Sequence, residues 1–426
     1  MFIVFMVVFI DLLGFGIVLP LLPLYADELL EPLFPGQRGV HGMLLGLLMA
    51  SFSAMQFIFA PVWGRISDRV GRRPILLLGL CGSAVFYTLF GVASEIGMRG
   101  APALGLALLF IARLGAGIAG ATISTAQAVI ADSTPPERRA RGMALIGAAF
   151  GIGFTFGPLI GFASLFVPSE GMPGFVAAAL SLIALTIAVT RLPETLRVGS
   201  PPARRRWISL HGIRLVMQTP SVGILILTFF LATLAFGSLE STLALVNKLL
   251  ISGEDVVHLT LTRAAARTTE QKSFLVFAYV GFVLMLMQGL VYRRLVMRVG
   301  EVRFLRLGTL LMMAGLAGAI GVLLLRESLA SRELLLVIAL LDMTIAVVGF
   351  ALMTPSVQSL ISRRSDQTKQ GEVLGVNQSA AALARILGPA CALPLYTATP
   401  NHILPYASAA VLLAIAFALS LRVHQE

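Results

Sequence analysis

Charge is scarce in this chain: Asp, Glu, Lys and Arg make up 12% of its 426 residues, about half the share found in a soluble domain. With 57% hydrophobic residues and a mean hydropathy of +0.91, it holds more apolar side chain than one water-facing core can bury. A soluble enzyme and a disordered scaffold are therefore excluded. Cysteine is rarer still. The two present, Cys81 and Cys391, exclude a disulfide framework and are expected to be buried packing residues, one in each half, rather than redox centres or metal ligands. The five histidines, His41, His211, His258, His402 and His424, fall in loops, at the edges of apolar runs or in the tail. A proton relay inside the apolar runs is left to carboxylates. The P-loop, G-x-S-x-G, H-E-x-x-H and C-x-x-C patterns are missing as well, so the chain reads as a non-enzyme with no cofactor and no metal.

What the chain has instead is long apolar runs. Twelve stretches near the twenty residues that cross a bilayer lie at roughly 2–25, 42–63, 74–94, 103–131, 142–166, 172–190, 221–247, 273–292, 304–325, 333–358, 372–397 and 404–421. The expectation is an all-α, multi-pass membrane protein of twelve transmembrane helices in two pseudo-symmetric six-helix bundles. The first run starts at Phe2 with no basic n-region and no cleavage site, and so reads as a retained helix rather than a signal peptide.

The net charge of +11 does not point to nucleic acid. Of 32 basic residues 29 are Arg, set mainly in short stretches between the runs, and alternate loops carry 22 against 8. The positive-inside rule then places both termini in the cytoplasm. The richer set includes 191–220, where Arg204, Arg205 and Arg206 precede the amphipathic stretch WISLHGIRLVMQ headed by Trp207. This divides the chain into a bundle over 1–190, a cytoplasmic linker with an interfacial helix over 191–220, and a bundle over 221–426. The segment 248–272, on the opposite side, is long and polar with no assigned role.

Internal repetition supports the division. Asp11 and Glu240, Arg113 and Asp342, and Gly71 and Gly300 are each 229 residues apart, while the Gly-Pro pairs at 157–158 and 388–389 are 231 apart. Transporters built from two related halves bind substrate between them, near the bilayer midplane.

The loop after the second run reads Gly64-Arg-Ile-Ser-Asp68-Arg69-Val-Gly71-Arg72-Arg73. It fits every defined position of G-x-x-x-D-R-x-G-R-R, a signature of the major facilitator superfamily. The fourth run contains Arg113-Leu-Gly-Ala-Gly117, similar to that family's R-x-x-x-G motif. The fifth contains Gly153-Phe-Thr-Phe-Gly157-Pro158-Leu-Ile-Gly161, which resembles the exporter signature G-x-x-x-G-P-x-x-G-G of the twelve-helix drug:proton antiporters, with Phe162 replacing the last glycine. The first run, from Asp11 through Gly14, Gly16 and Pro20 to Pro23, resembles the opening of tetracycline efflux proteins. Phe86 stands where tetracycline-specific members carry an acid in the third helix, a departure that points away from tetracycline itself. Ser238-Leu239-Glu240 with Thr242, and the stretch from Leu383 through Arg385 to Gly388-Pro389, are similar to the eukaryotic tetracycline-transporter-like proteins, for which organic-anion export is implied. The resemblance covers the whole chain. It implies proton-coupled antiport of a small amphiphilic compound by a monomer in a bacterial inner membrane.

The residues carry chemistry of their own. Gly64 and Gly71 permit a tight turn, and Asp68 can sit at a helix N-terminus or pair with Arg69, Arg72 or Arg73, forming a latch. The second copy has Met297 where the first has Asp68. Gly153, Gly157 and Gly161 recur every four residues as a smooth stripe, bent by Pro158 and extended obliquely by Gly147 and Gly151. Intramembrane charges each cost about 2.5–3.5 kcal/mol and should face a cavity or a partner. Asp11, Arg113, Glu240, Asp342 and Arg385 are therefore the expected cavity set, with Asp11, Glu240 and Asp342 as proton-coupling acids. Protonation of Asp11 is expected to free Arg113. The expected partners are a small-molecule substrate, protons and the lipid bilayer. Uptake or exchange of an organic anion is the alternative within transport, and a non-transporting receptor the reading from another class.

Overall fold

Backbone amides in a bilayer must bond within their own segment, so a run of twenty apolar residues has the helix as its open-ended solution. The computed structural model describes residues 2–132, 139–196, 220–252, 263–326, 328, 331–365 and 370–423, and these residues form helices and turns with no strand. The proposed interfacial helix at Trp207, most of the linker, and His211, His258 and His424 lie outside them.

Twelve helical spans result. The first is α1 (Phe2–Val18) continued by α2 (Leu22–Leu30). The second and third are α3 (Arg38–Val70) and α4 (Arg72–Met98), and the fourth is split into α5 (Pro102–Gly120) and α6 (Ile123–Asp132). Then come α7 (Arg139–Ser164), α8 (Met172–Arg191) and α9 (Pro220–Ser252). The eighth span is α10 (Arg263–Leu286), a π-turn over Met287–Tyr292, and α11 (Arg293–Val299). The last four are α12 (Glu301–Leu325), α13 (Arg332–Arg364), α14 (Gln370–Ala398) and α15 (Leu404–Leu421). Eleven are long and apolar enough to cross a membrane over their described residues, and the described apolar part of α7 is Gly151–Ser164. Prolines sit inside several spans, Pro61, Pro158, Pro355, Pro389 and Pro394 among them.

The chain resolves into two compact units, and both draw on both halves of the sequence. The first comprises Met1–Gln37, Ser51–Arg204 and Thr260–Gly281, the second Arg38–Ala50, Arg205–Leu259 and Phe282–Glu426. Within the first, α1 packs on α7 and α8, and α4 on α5 and α8. In the second, α9 packs on α14 and α15, and α12 on α13 and α15. The cores are Leu, Val, Ile and Ala, with large apolar side chains also on outward faces: Leu78 and Val85 of α4 are 53% and 56% exposed. A bilayer accepts such a face where water does not.

Two expectations change here. Cys81 and Cys391, read as buried, are both exposed. Cys81 falls between Leu78 and Val85 at helical spacing, so the outward stripe of α4 includes it, and a thiol is apolar enough for that face. Gly151, read as an oblique extension of the α7 stripe, has nothing within 4 Å of where a side chain would start.

Candidate transport site

In the first unit the site begins with a glycine. Gly14 lies one turn after Asp11 on α1, and a Cβ there would come within 2.9 Å of the Tyr87 ring. The flat surface lets Tyr87 of α4 lie against α1, where it is 4% exposed. The Ser83 hydroxyl, one turn earlier on α4, hydrogen-bonds the Asp11 carboxylate. The other carboxylate atom, Oδ1, is buried with no hydrogen-bond partner among the described residues. Arg113 of α5 is 3% exposed and holds its guanidinium 4.6 Å from the Phe52 ring centroid, a cation–π contact. Phe52 meets Phe15 in turn at 5.0 Å with the rings tilted by 34°, and Phe15 meets Phe154 at 6.1 Å. Nε and Nη1 of Arg113 have no acceptor among the described residues. Neither Asp11 nor Arg113 is among the groups acting on the other, but the charges of both act on Tyr87.

The second unit is built on a helix crossing. Gly237 of α9 and Gly388 of α14 face each other, with a Cβ on Gly388 reaching within 3.2 Å of Gly237. Glu240 follows Gly237 by three residues and Arg385 precedes Gly388 by three, so the crossing brings acid and cation together, and each charge acts on the other. One turn before Glu240, Phe236 stacks on Phe350 of α13 with centroids 3.8 Å apart and planes 8° from parallel. Asp342 stands apart from this group. Its carboxylate packs on Gly318 of α12, in line with the contacts of Gly315 on Ala346 and Gly308 on Gly349 that join α12 to α13.

The exporter stripe of the first unit is in use. Gly157 meets Gly16 of α1, where an added Cβ would be 2.8 Å from the Gly16 Cα. Gly153 meets Leu12, Gly161 meets the Phe274 ring of α10, and Gly281 of α10 meets Phe154 and Thr155. The departure at Phe86 is a packing feature, since its ring covers Gly115 of α5.

At the Gly64–Arg73 turn, Gly71 has φ +114°, a conformation that favours glycine. Asp68 pairs with Arg72, whose Nη1 also donates to the Ser67 hydroxyl at 2.7 Å. The backbone N–H groups of Arg72 and Arg73, the first of α4, donate to Glu194 at 2.9 and 3.1 Å. Thr195 and Leu196 donate to the same carboxylate, both at 2.9 Å. Arg73 reaches the Val189 carbonyl at 2.6 Å. Glu194 thus caps α4 from the end of α8, at the positive pole of the helix. Partial burial opposes its charge, but the backbone donors of Leu196, Arg72, Arg73 and Thr195 outweigh this and hold its carboxyl below the usual value of 4.5. The repeat copy has Gly300 at φ +89°, with Glu301 bound by Ser359 at 2.5 Å and Arg363 at 3.2 Å. Met297 there is 90% exposed.

Three residues were missed in the sequence. Glu194 was legible, as a lone acid in an arginine-rich stretch. Tyr87 carried no signal, being one aromatic in an apolar run. Glu270 was read as part of a polar loop, but α10 begins at Arg263 and buries it to 5% exposure.

A model of the major facilitator superfamily matches residues 4–389. The chain belongs to this superfamily. It is similar to the class E tetracycline resistance protein of Escherichia coli, 33% identical over 398 residues that cover 92% of this chain and 87% of the relative. The human major facilitator superfamily domain-containing protein 10 is 29% identical, covering 92% and 86%. Among solved structures, the human organic anion transporter MFSD10 (TETRAN) superposes with a TM-score of 0.67 at 25% identity and 98% coverage of both chains. A D-xylose–proton symporter shares the fold, with a TM-score of 0.74 at 17% identity over 100% and 98%. The protein is an integral, multi-pass membrane transporter of small molecules, in a family of transporters rather than enzymes.

Proposed function

We propose that this transporter is a monomeric, proton-coupled antiporter of a bacterial inner membrane, with both termini in the cytoplasm, exporting a small amphiphilic compound by alternating access. The observation that carries this reading is that each unit holds a carboxylate and an arginine inside apolar helices, Asp11 with Arg113 and Glu240 with Arg385. A buried acid that can exchange a proton, with a cation that acts on it directly, as Arg385 does on Glu240, or through a shared neighbour, as Arg113 and Asp11 do at Tyr87, is the minimum for coupling. The tetracycline resistance relatives support export of a drug-like compound. Asp342, packed on Gly318, remains a third proton-coupling candidate. The turn from Gly64 through Asp68, Arg69 and Gly71 to Arg72 and Arg73 acts as the gate, with Glu194 holding it closed.

The alternative is transport of an organic anion, the substrate class of the human transporter MFSD10. Arg385 favours it: it is a cation held by Glu240 at the α9–α14 crossing, and a guanidinium there suits a carboxylate. Inverted vesicles given a panel of cationic, neutral and anionic amphiphiles, with and without a proton gradient, separate the readings. Gradient-dependent accumulation of cations or neutrals supports the first; uptake of anions that ignores the gradient replaces it with the second.

A further inference from the structure

A small pocket lies inside the first unit, beside Asp11 and on the side away from Ser83 and Tyr87. Its wall is Val7, Val8 and Leu12 of α1, Leu76 and Leu80 of α4, and Thr122, Ile123 and Ala126 at the break in the fourth span. Most of these belong to one apolar core cluster, in which Asp11 and Thr122 supply the polar atoms. The cavity measures about 20 Å³, room for one water. Thr122 stands in the break itself, between Gly120 and Ile123, where its side chain packs on Gly79 of α4.

The pocket is close to one end of its helices. Leu76 is four residues into α4, about 6 Å from its start, whereas Ser83 and Tyr87 are about 17 and 23 Å in. Val7 and Ala126 are similarly near the start of α1 and the end of α6. Asp11 therefore has two neighbourhoods: the Ser83 hydroxyl and the Tyr87 ring on one side, and a water-sized hole on the other, lined by residues nearer the Gly64–Arg73 end of α4.

We infer that a single water occupies this pocket, bridging Asp11 Oδ1 and the Thr122 hydroxyl, and that Asp11 exchanges its proton through it with the Gly64–Arg73 face by a route the substrate does not use. The inference rests on the reading of Asp11 as a coupling acid. The unsatisfied Oδ1 requires a partner, and Asp11 lines the pocket. The Oδ1–H bond breaks as the water takes the proton and passes one on toward bulk solvent, so nothing else is consumed. Tyr87 of α4 and, across it, Arg113 of α5 are the groups whose charge or polarity bears on this exchange. The titratable residues of α6, α7 and α8 are confined to their ends, Asp132 on α6, Arg139 and Arg141 on α7 and Arg191 on α8, while residues 123–130, 142–169 and 171–190 contain none.

The test uses purified full-length protein and follows the carboxyl C=O infrared band that Asp11→Asn removes, after a rapid pH jump. Thr122→Val keeps the volume and removes the hydroxyl, and Ala126→Val fills the pocket. Both are expected to slow the Asp11 band roughly tenfold or more while equilibrium substrate affinity stays within about twofold, because neither residue touches the Tyr87–Arg113 side. Should Ala126→Val fail to fold, the isosteric Thr122→Val still decides. An Asp11 band that follows pH at the wild-type rate in the variants overturns the water route and leaves the coupling role standing. A wild-type band that ignores pH between about 5 and 9 removes the coupling role, and the route with it.

Discussion

Arg385 and Glu194 illustrate how far single side chains determine the behaviour of the site. Arg385 is held beside Glu240 by a glycine-to-glycine crossing. Arg385→Ala should raise the apparent KM for anionic amphiphiles by about tenfold or more, since a charge-assisted contact is worth about 1.5–3 kcal/mol, and leave neutral compounds nearly unchanged. Equal loss across the panel, measured in vesicles at matched expression, would show that Arg385 only neutralises Glu240. Glu194 is a prediction about stability. Its folded-state carboxyl titrates below 4.5, so the cap is fully present above that value and is lost as pH falls through the lowered one. Glu194→Gln should lower thermal stability at neutral pH by the equivalent of about 1 kcal/mol and flatten its decline below pH 4.5. A parallel decline in both proteins would mean that the capping charge contributes nothing.

At the scale of elements, the sequence was legible wherever chemistry is local. Over the described residues eleven of the twelve apolar runs became helices long and apolar enough to cross a membrane and the twelfth a shorter apolar one, and the Gly71 and Gly300 turns repeat the same positive-φ geometry. Side-chain direction was less legible. Asp342 shares the 229-residue interval with Arg113, yet it lies on the α12 face of its helix, because Gly318 opposite leaves space for a carboxylate. The interval also hides a shift between the halves: α1 crosses α7 at Gly16, five residues after its acid, whereas α9 crosses α14 at Gly237, three residues before its own. The position matching Arg385 at the 231-residue interval is Phe154, so the first unit draws its cation from α5 instead. Packing also separates glycines that look alike in the motif. Gly157→Leu should lower the melting temperature by many degrees or abolish folded expression, since backbone lies 2.8 Å from where its Cβ would be. Gly151→Ala should be neutral or slightly stabilising. A thermal-shift series that ranks the two the other way would contradict the α1–α7 crossing.

For the whole molecule, orientation is the property that the arginine count alone supports. Single cysteines at Ser365, after α13, and at Asn401, before α15, should react with an impermeant maleimide from opposite faces. Ser365 should be reached from the cytoplasm and Asn401 from outside. Reaction of both from one side, or in the reverse sense, would overturn the topology drawn from the 22-to-8 asymmetry.

The exposed thiols bear on the same scale. Cys81 belongs to the first unit and Cys391 to the second, and both side chains are exposed, Cys81 on the outward apolar stripe of α4 where a membrane-permeant thiol reagent reaches it. The native chain therefore carries a ready-made pair of spectroscopic anchors, one per unit, with no engineered substitution needed. Spin labels on these two atoms would turn any rocking of one unit against the other into a change in an electron–electron distance distribution, recorded with the proton gradient and the amphiphile as the variables.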